Sequence, residues 1–149
     1  MVWKPNVTVA AVVEREGRFL LIEEETARGR LFNQPAGHLE PGESLVEAAA
    51  REALEESAYA FNPTALVGVY QYRSTAEAVT YLRFAFTGEV TGHDPRRALD
   101  TGIVRALWVT PDEARRDSAR HRSPLVMRCI DDHVAGQRFP LSLLYHDPA

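Results

Sequence analysis

Three glutamates are spaced so that a helix would bring their carboxylates together. Glu52, Glu55 and Glu56 lie in residues 44 to 57, a segment that is rich in Ala, Leu and Glu and lacks Gly and Pro. At 100° per residue, the three side chains fall within about 100° of one another on one side of such a helix. Carboxylates at these spacings repel one another, and the helix dipole opposes anions near the C-terminus. Two explanations remain open, a solvated acidic face and a site for a hard divalent cation such as Mg²⁺, which takes oxygen ligands.

The start of this helix is predicted by a local signal. Ser44 is followed three residues later by Glu47, the spacing of a capping box in which each side chain satisfies a free backbone N–H. The same register places small and aliphatic side chains opposite the glutamates, where we expect the helix to pack on the core. This predicted core face consists of Val46, Ala49, Ala50, Ala53 and Leu54.

The segment in front of the helix adds a specific pattern. From Gly37 the sequence is GHLEPGESLVEAAAREALEESAY, which resembles the Nudix box: a glycine, five residues, a glutamate, seven residues, Arg-Glu, an aliphatic position, any residue and Glu-Glu. Six fixed matches would arise by chance in such a chain with a probability on the order of 10⁻⁵. The matching residues are Gly37, Glu43, Arg51, Glu52, Glu55 and Glu56.

The resemblance to Nudix hydrolases implies a fold and a metal site. The implied fold is an α/β (α+β) single domain over residues 1 to 149, an α/β/α sandwich with a mixed sheet between helices. Glu55 and Glu56 would bind Mg²⁺, which Mn²⁺ can replace, together with the backbone carbonyl at or beside Gly37. Glu52 would be a further ligand or the base that activates water; the resemblance leaves both roles open.

The resemblance also implies a supporting role and shows two departures. Arg51 would hold Glu43 and so orient the carboxylates, a task for which a planar guanidinium is suited. Ala53 fills the aliphatic position weakly, and Ala58 stands where the box usually ends in glycine. Since a left-handed alanine costs about 1 kcal/mol, we expect a different exit from the helix here.

The remaining elements are predicted from periodicity and turn residues. Residues 25 to 43 are dense in Gly, Pro and Asn and indicate a long shaped loop. One further helix is predicted from Pro111 to about Arg116 and another from about Pro124 to Gly136. Strands are predicted at residues 7–13, 18–24, 66–73, 80–87 and 106–109.

The amino-acid composition limits the kinds of partner that we expect for this chain. Seventeen Lys and Arg against 21 Asp and Glu give a net charge of -4, and without a basic run we expect no nucleic-acid partner. The single cysteine, Cys129, excludes an intrachain disulfide. The apolar N-terminal stretch is short and no segment reaches the roughly 20 apolar residues of a membrane span. We therefore expect a cytoplasmic protein without a membrane partner, a monomer being expected and a homodimer left open.

Stretches beyond the box resemble one bacterial phosphatase branch of the Nudix family. They are NVTVAAVVE at 6–14, FNQPAGHLE at 32–40, LVEAAARE at 45–52, RSPLV at 122–126 and GQRFPL at 136–141. This branch implies release of orthophosphate from hydroxymethylpyrimidine diphosphate, thiamine diphosphate and nucleoside di- and triphosphates. Two alternatives stay open: a nucleoside triphosphate pyrophosphohydrolase that releases pyrophosphate, and a catalytically silent ligand-sensing module.

Substrate-binding candidates are chosen by side-chain chemistry. Aromatic rings would stack on a flat group, amides would read its polar edge, and an arginine would meet phosphate oxygens, although aromatic residues on strands are more often core packing. Asp100 is preferred over Glu77 and Asp94 as an additional metal ligand because it precedes a predicted strand, and a solvent-exposed loop aspartate is the alternative. The substrate-binding candidates are Phe32, Asn33, Gln34, Tyr70, Tyr72 and Arg83.

Overall fold

Two sheets form the centre of the molecule, which we describe over residues 1–148 from a computed structural model. In the first sheet the strand order is β5 (Ala36–His38), β1 (Asn6–Ala11), β7 (Val79–His93) and β6 (Tyr59–Ser74). β1 and β7 are parallel, whereas the other two pairs are antiparallel, so this sheet is mixed.

The second sheet is antiparallel and is centred on β3 (Arg18–Thr26). Its neighbours are β2 (Glu14–Arg15) and β4 (Gly29–Asn33), and β8 (Ile103–Val109) also pairs with β3.

Helices cover both faces of the first sheet. α1 (Leu45–Ser57) packs with Val9 and Phe86. α3 (Leu125–Val134) packs with the residues adjacent to these on the same strands, Ala10 and Ala85. This alternation follows from the period of two along a strand. A shorter helix, α2 (Pro111–Arg116), and two 3₁₀ turns complete the described chain, and the predicted α/β/α arrangement is confirmed. Within residues 1–148, every helix is too short or too polar to cross a membrane.

Local signals fix the starts of two helices, where the capping box of α1 and the proline at the start of α2 were predicted and the capping box of α2 was not. The Ser44 hydroxyl accepts a hydrogen bond from the Glu47 N–H, and the Glu47 carboxylate accepts one from the Ser44 N–H, each at 3.0 Å. Thr110 and Glu113 form the same capping box at the start of α2, with Pro111 at its first turn. Each cap satisfies donors that the helix itself leaves free.

The prediction of a long loop over residues 25 to 43 is wrong. β3 extends to Thr26, and β4 and β5 form within the segment. β5 exists because it pairs with β1, with Thr8 opposite His38, a contact between residues distant in sequence. β6 and β7 also extend well beyond the predicted segments and form a long hairpin with three register shifts.

The end of α1 also differs from the prediction. Ala58 has φ 63° and ψ 15°, and its N–H donates to the Leu54 carbonyl at 2.9 Å. The alanine therefore takes the left-handed conformation that glycine usually supplies, at a cost of about 1 kcal/mol. Its methyl group is buried, only 3% of the residue being exposed, which offsets part of that cost.

Candidate active site

The buried side of α1 is not purely apolar. Ala48, Ala49 and Ala53 are fully buried, but Glu52 is also only 8% exposed. The predicted core face is therefore partly wrong, because β5 folds back over the helix and covers its acidic side. Burial of the Glu52 carboxyl raises its pKa.

Gly37 is required by this close approach of β5 to α1. A Cβ atom added at Gly37 would overlap the carboxylate of Glu52. Any other residue would therefore push the strand and the helix apart or move the carboxylate. The first position of the sequence pattern thus has a steric cause in the structure.

Arg51 binds Glu43 through both arms of its guanidinium group. Nη2 donates to Oε1 of Glu43 at 2.7 Å and Nε donates to Oε2 at 3.0 Å. This guanidinium holds the pKa of the Glu43 carboxyl below its usual range, and the Glu40 backbone N–H adds to the effect. The structure thus brings Arg51 and Glu43 together in the bidentate geometry that fixes both groups.

The same guanidinium reaches the acidic side of α1 and the loop. Nη1 donates to Glu52 Oε1 at 2.8 Å and, more weakly, to Glu55 at 3.4 Å. Nη2 also donates to the backbone carbonyl of His38 at 3.0 Å. Arg51 therefore sets the position of several carboxylates at once and reduces the repulsion between them.

Three carboxylates converge in a geometry that fits a metal ion. One oxygen from each of Glu52, Glu55 and Asp100 lies within 4.8 Å of the others. Asp100 is held there because its backbone N–H donates to the Glu55 carbonyl at 3.0 Å. An all-oxygen donor set of this kind suits a hard cation such as Mg²⁺ or Mn²⁺.

Glu56 lies beside this cluster and not within it. Its carboxylate accepts a hydrogen bond from the Ala36 N–H at 2.9 Å. Burial raises the pKa of Glu56 to about 8, and the neighbouring charges of Glu52 and Glu24 act in the same direction. A cation bound nearby would restore its charged form, so this residue also fits a metal site.

The carboxylates of Glu52, Glu56 and Asp100 open on a cleft of about 440 Å³. The acidic residues that line it are Glu24, Glu40, Glu52, Glu56, Glu77 and Asp100. Aromatic, amide, hydroxyl and guanidinium groups supply the rest of the polar lining. These side chains, together with the His38 imidazole, are Thr8, Asn33, Tyr72, Tyr81, Arg83, Arg122 and Ser123.

Half of the predicted substrate-binding residues line this cleft. Asn33, Tyr72 and Arg83 do so, and so do His38 and Glu77. The cleft therefore combines residues from β4, β6 and β7 that are far apart in sequence. Asp94 lies elsewhere, its backbone N–H donating to the Ala58 carbonyl.

The other half do not line this cleft. Phe32 is buried against Leu21 and Val126. Gln34 is 1% exposed and hydrogen-bonded within the protein. Tyr70 lies under α3, where its hydroxyl donates to Asp132 at 2.7 Å. The side-chain types fitted a binding role, but Phe32 and Gln34 lie in the interior and the half-buried Tyr70 is held against α3.

Several cleft residues were absent from the sequence prediction. Tyr81 is directly opposite Tyr72 in the β6–β7 pair, and the period of two from Arg83 would have indicated the same face of the strand. Glu24 had no comparable signal, and Arg122 and Ser123 were noted only as part of the RSPLV stretch, without a binding role. Arg122 and Ser123 enter the cleft from the irregular segment before α3, whose path depends on tertiary packing.

Comparison with known proteins identifies the family. The NUDIX domain model matches residues 3–129, most of the chain. A solved NUDIX hydrolase from Nitrosomonas europaea is 52% identical, covers 98% of this chain and 99% of its own, and superposes with a TM-score of 0.96. The chain therefore belongs to the Nudix family and is a Nudix hydrolase, as the box predicted.

Curated relatives show which members of the Nudix family this chain is similar to. Phosphatase NudJ from Escherichia coli K12 and from Shigella boydii is 42% identical over 142 residues, 95% of this chain and 92% of those proteins. This similarity confirms the predicted resemblance to a bacterial phosphatase branch. A MutT NUDIX hydrolase from Burkholderia pseudomallei, 20% identical with a TM-score of 0.73 over 87% of this chain and 98% of its own, shares the fold.

Proposed function

We propose that this Nudix hydrolase is a Mg²⁺-dependent phosphatase that releases orthophosphate from small organic diphosphates and from nucleoside di- and triphosphates. Hydroxymethylpyrimidine diphosphate and thiamine diphosphate are the proposed organic substrates. The observation that carries the proposal is the cluster of Glu52, Glu55 and Asp100 at a cleft large enough for one small ligand. The similarity to phosphatase NudJ over 95% of the chain supports orthophosphate as the product.

Glu52, Glu55 and Asp100 would hold the cation, and Glu56 and the backbone carbonyl at Gly37 are proposed as further ligands. When bound, the cation would neutralise diphosphate oxygens and the leaving group. Without such an ion, the converging carboxylates would repel a phosphate. The cluster is therefore suited to select phosphates that arrive with a divalent cation.

Glu52 is the proposed acceptor of the proton from the attacking water. Burial raises the pKa of its carboxyl, which makes it a better base, whereas the hydrogen bond from Arg51 keeps the charged form accessible. Arg51 and Glu43 are positioning residues, because their mutual hydrogen bonds fix the guanidinium that orients Glu52. Gly37 allows the carboxylate to lie against β5, where Glu52 is only 8% exposed.

The test measures orthophosphate and pyrophosphate separately, with Mg²⁺ and with chelator. Thiamine diphosphate, hydroxymethylpyrimidine diphosphate and nucleoside triphosphates are compared for wild type, Glu56→Gln and a control variant, Glu89→Gln. Glu89 is exposed on β7 away from the cleft. We expect metal-dependent orthophosphate release that falls at least 100-fold in Glu56→Gln and is unchanged in Glu89→Gln.

Other outcomes would identify a different function. Pyrophosphate as the main product from nucleoside triphosphates would indicate a nucleotide pyrophosphohydrolase. Binding of these ligands without any hydrolysis would indicate a ligand-sensing module. Equal activity in chelator and in Mg²⁺ would contradict the proposed role of the carboxylate cluster.

A further inference from the structure

Arg83 is a buried cation whose hydrogen-bond partners are all uncharged. The residue is 6% exposed, yet its Nη1 donates to Gln34 Oε1 and its Nη2 donates to Asn33 Oδ1, each at 2.9 Å. A third, long contact joins Nη1 to the Cys129 sulfur at 3.9 Å. Across residues 1–148, this guanidinium has no carboxylate in ion-pair contact. Buried charges are usually paired, so the arrangement leaves Arg83 short of acceptors.

Gln34 fixes the orientation of the Arg83 guanidinium. The Gln34 amide donates through Nε2 to the Val126 carbonyl at 2.8 Å, which directs its Oε1 towards Arg83. Since Gln34 is only 1% exposed, it cannot exchange this contact for water. Two of the five N–H donors of Arg83, at Nε and on Nη2, lack an acceptor among the described residues.

The surroundings of Arg83 disfavour a phosphate there. Burial raises the pKa of the Glu24 carboxyl, an effect that the nearby charges of Arg122 and Arg83 oppose, and Glu77 pairs with Arg122 at 3.7 Å. A phosphate group beside Arg83 would meet the negative charge of Glu77, and of Glu24 when that carboxyl is ionised, whereas an uncharged acceptor would not be repelled. Tyr81 lines the same cleft, donating its hydroxyl to Glu77 at 2.7 Å, and offers a flat ring surface.

We propose that Arg83 is a specificity-determining residue that donates hydrogen bonds to an uncharged acceptor, a ring nitrogen or carbonyl, on the heterocyclic group of the substrate. The inference rests on the proposed function, in which the phosphates occupy the end of the cleft near Glu52 and Asp100. Gln34 and Asn33 are positioning residues that hold the guanidinium ready. The enzyme would thus favour diphosphates of acceptor-bearing rings over those of hydrocarbon groups.

A matched pair of substrates tests this assignment. Hydroxymethylpyrimidine diphosphate carries ring nitrogens, whereas benzyl diphosphate has a flat ring without any acceptor. Wild type is compared with Arg83→Gln and with Arg73→Gln, which changes an exposed arginine on β6 outside the cleft. Thermal unfolding of each variant is measured alongside kcat and KM.

The expected result is a change in selectivity. Arg83→Gln should lower kcat/KM for hydroxymethylpyrimidine diphosphate at least tenfold, as loss of a charged hydrogen bond does. The same variant should lower kcat/KM for benzyl diphosphate less than threefold. Arg73→Gln should change neither. An equal loss for both substrates would assign Arg83 to phosphate binding or to the fold and overturn the proposal, as would no loss for either.

Two further measurements keep the test decisive. If Arg83→Gln does not fold, wild type alone must still prefer the pyrimidine substrate at least tenfold, and equal kcat/KM values would overturn the proposal. If wild type hydrolyses neither substrate, dissociation constants from calorimetry carry the comparison instead, and the proposed function fails only if thiamine diphosphate and nucleoside di- and triphosphates are also left intact. Equal affinity for both diphosphates would then refute the role of Arg83.

Discussion

Replacing Arg51 by glutamine should destabilise the metal-free protein. The change removes a guanidinium that pairs with Glu43 at 2.7 Å and Glu52 at 2.8 Å and approaches Glu55 at 3.4 Å. These carboxylates would then be left close together without a cation. The effect should therefore exceed that of removing an ordinary surface arginine.

The magnitude follows from the exposure of these side chains. The side chains alone of Arg51, Glu43 and Glu52 are 21%, 16% and 11% exposed, so the network is mostly shielded from water. Breaking a buried pair by removing one partner costs about 3–5 kcal/mol. Partial exposure and protonation of Glu52 reduce this penalty, so we expect a loss of about 2–3 kcal/mol in the free energy of unfolding.

Urea unfolding at pH 7 in the presence of chelator measures this loss without a contribution from bound metal. Arg115→Gln is the matched control, because Arg115 pairs with Asp131 at 2.6 Å but both side chains are about half exposed. It should cost less than about 1 kcal/mol. A loss for Arg51→Gln no larger than that of the control would refute the reasoning that the network is shielded.

Three further changes have defined outcomes. Gly37→Ala should lower kcat at least 100-fold, because the new methyl group would displace the Glu52 carboxylate. Asp100→Asn should raise the Mg²⁺ concentration for half-maximal activity at least tenfold, because one of three convergent carboxylates is lost. The Glu56 pKa of about 8 lies above its ordinary 4.5, so its stabilising contribution is complete below pH 4.5 and is lost as pH rises towards 8. The free energy of unfolding in chelator should therefore depend less steeply on pH over that range in Glu56→Gln.

Each of these changes has a control and a contradicting result. Gly92→Ala adds a methyl group where no atom lies within 4 Å, and an equal loss of kcat in both alanine variants would contradict the steric argument. Asp112→Asn alters an exposed aspartate on α2, so a similar Mg²⁺ requirement in it and in Asp100→Asn would argue against a ligand role. Parallel pH profiles for wild type and Glu56→Gln would show that this carboxyl does not titrate in the expected range.

The sequence alone was sufficient wherever interactions are local. α1 and α2 begin at capping boxes whose partners are three residues apart, so Ser44 and Thr110 mark their starts without tertiary information. The resemblance to the Nudix box likewise implied the Arg51–Glu43 pair that the structure brings together. The family and its α/β/α fold could also be predicted, because the box pattern is rare by chance.

Tertiary structure decided the features that depend on distant partners. β5 forms only because it pairs with β1, and this pairing buries Glu52, which helical periodicity had placed on an exposed face. Tyr70 and Tyr72 lie two residues apart on β6, yet α3 covers the first and leaves the second in the cleft. Side-chain type and strand periodicity cannot distinguish such positions. Whether a residue packs in the interior or faces the cleft depends on whether another helix or strand covers it.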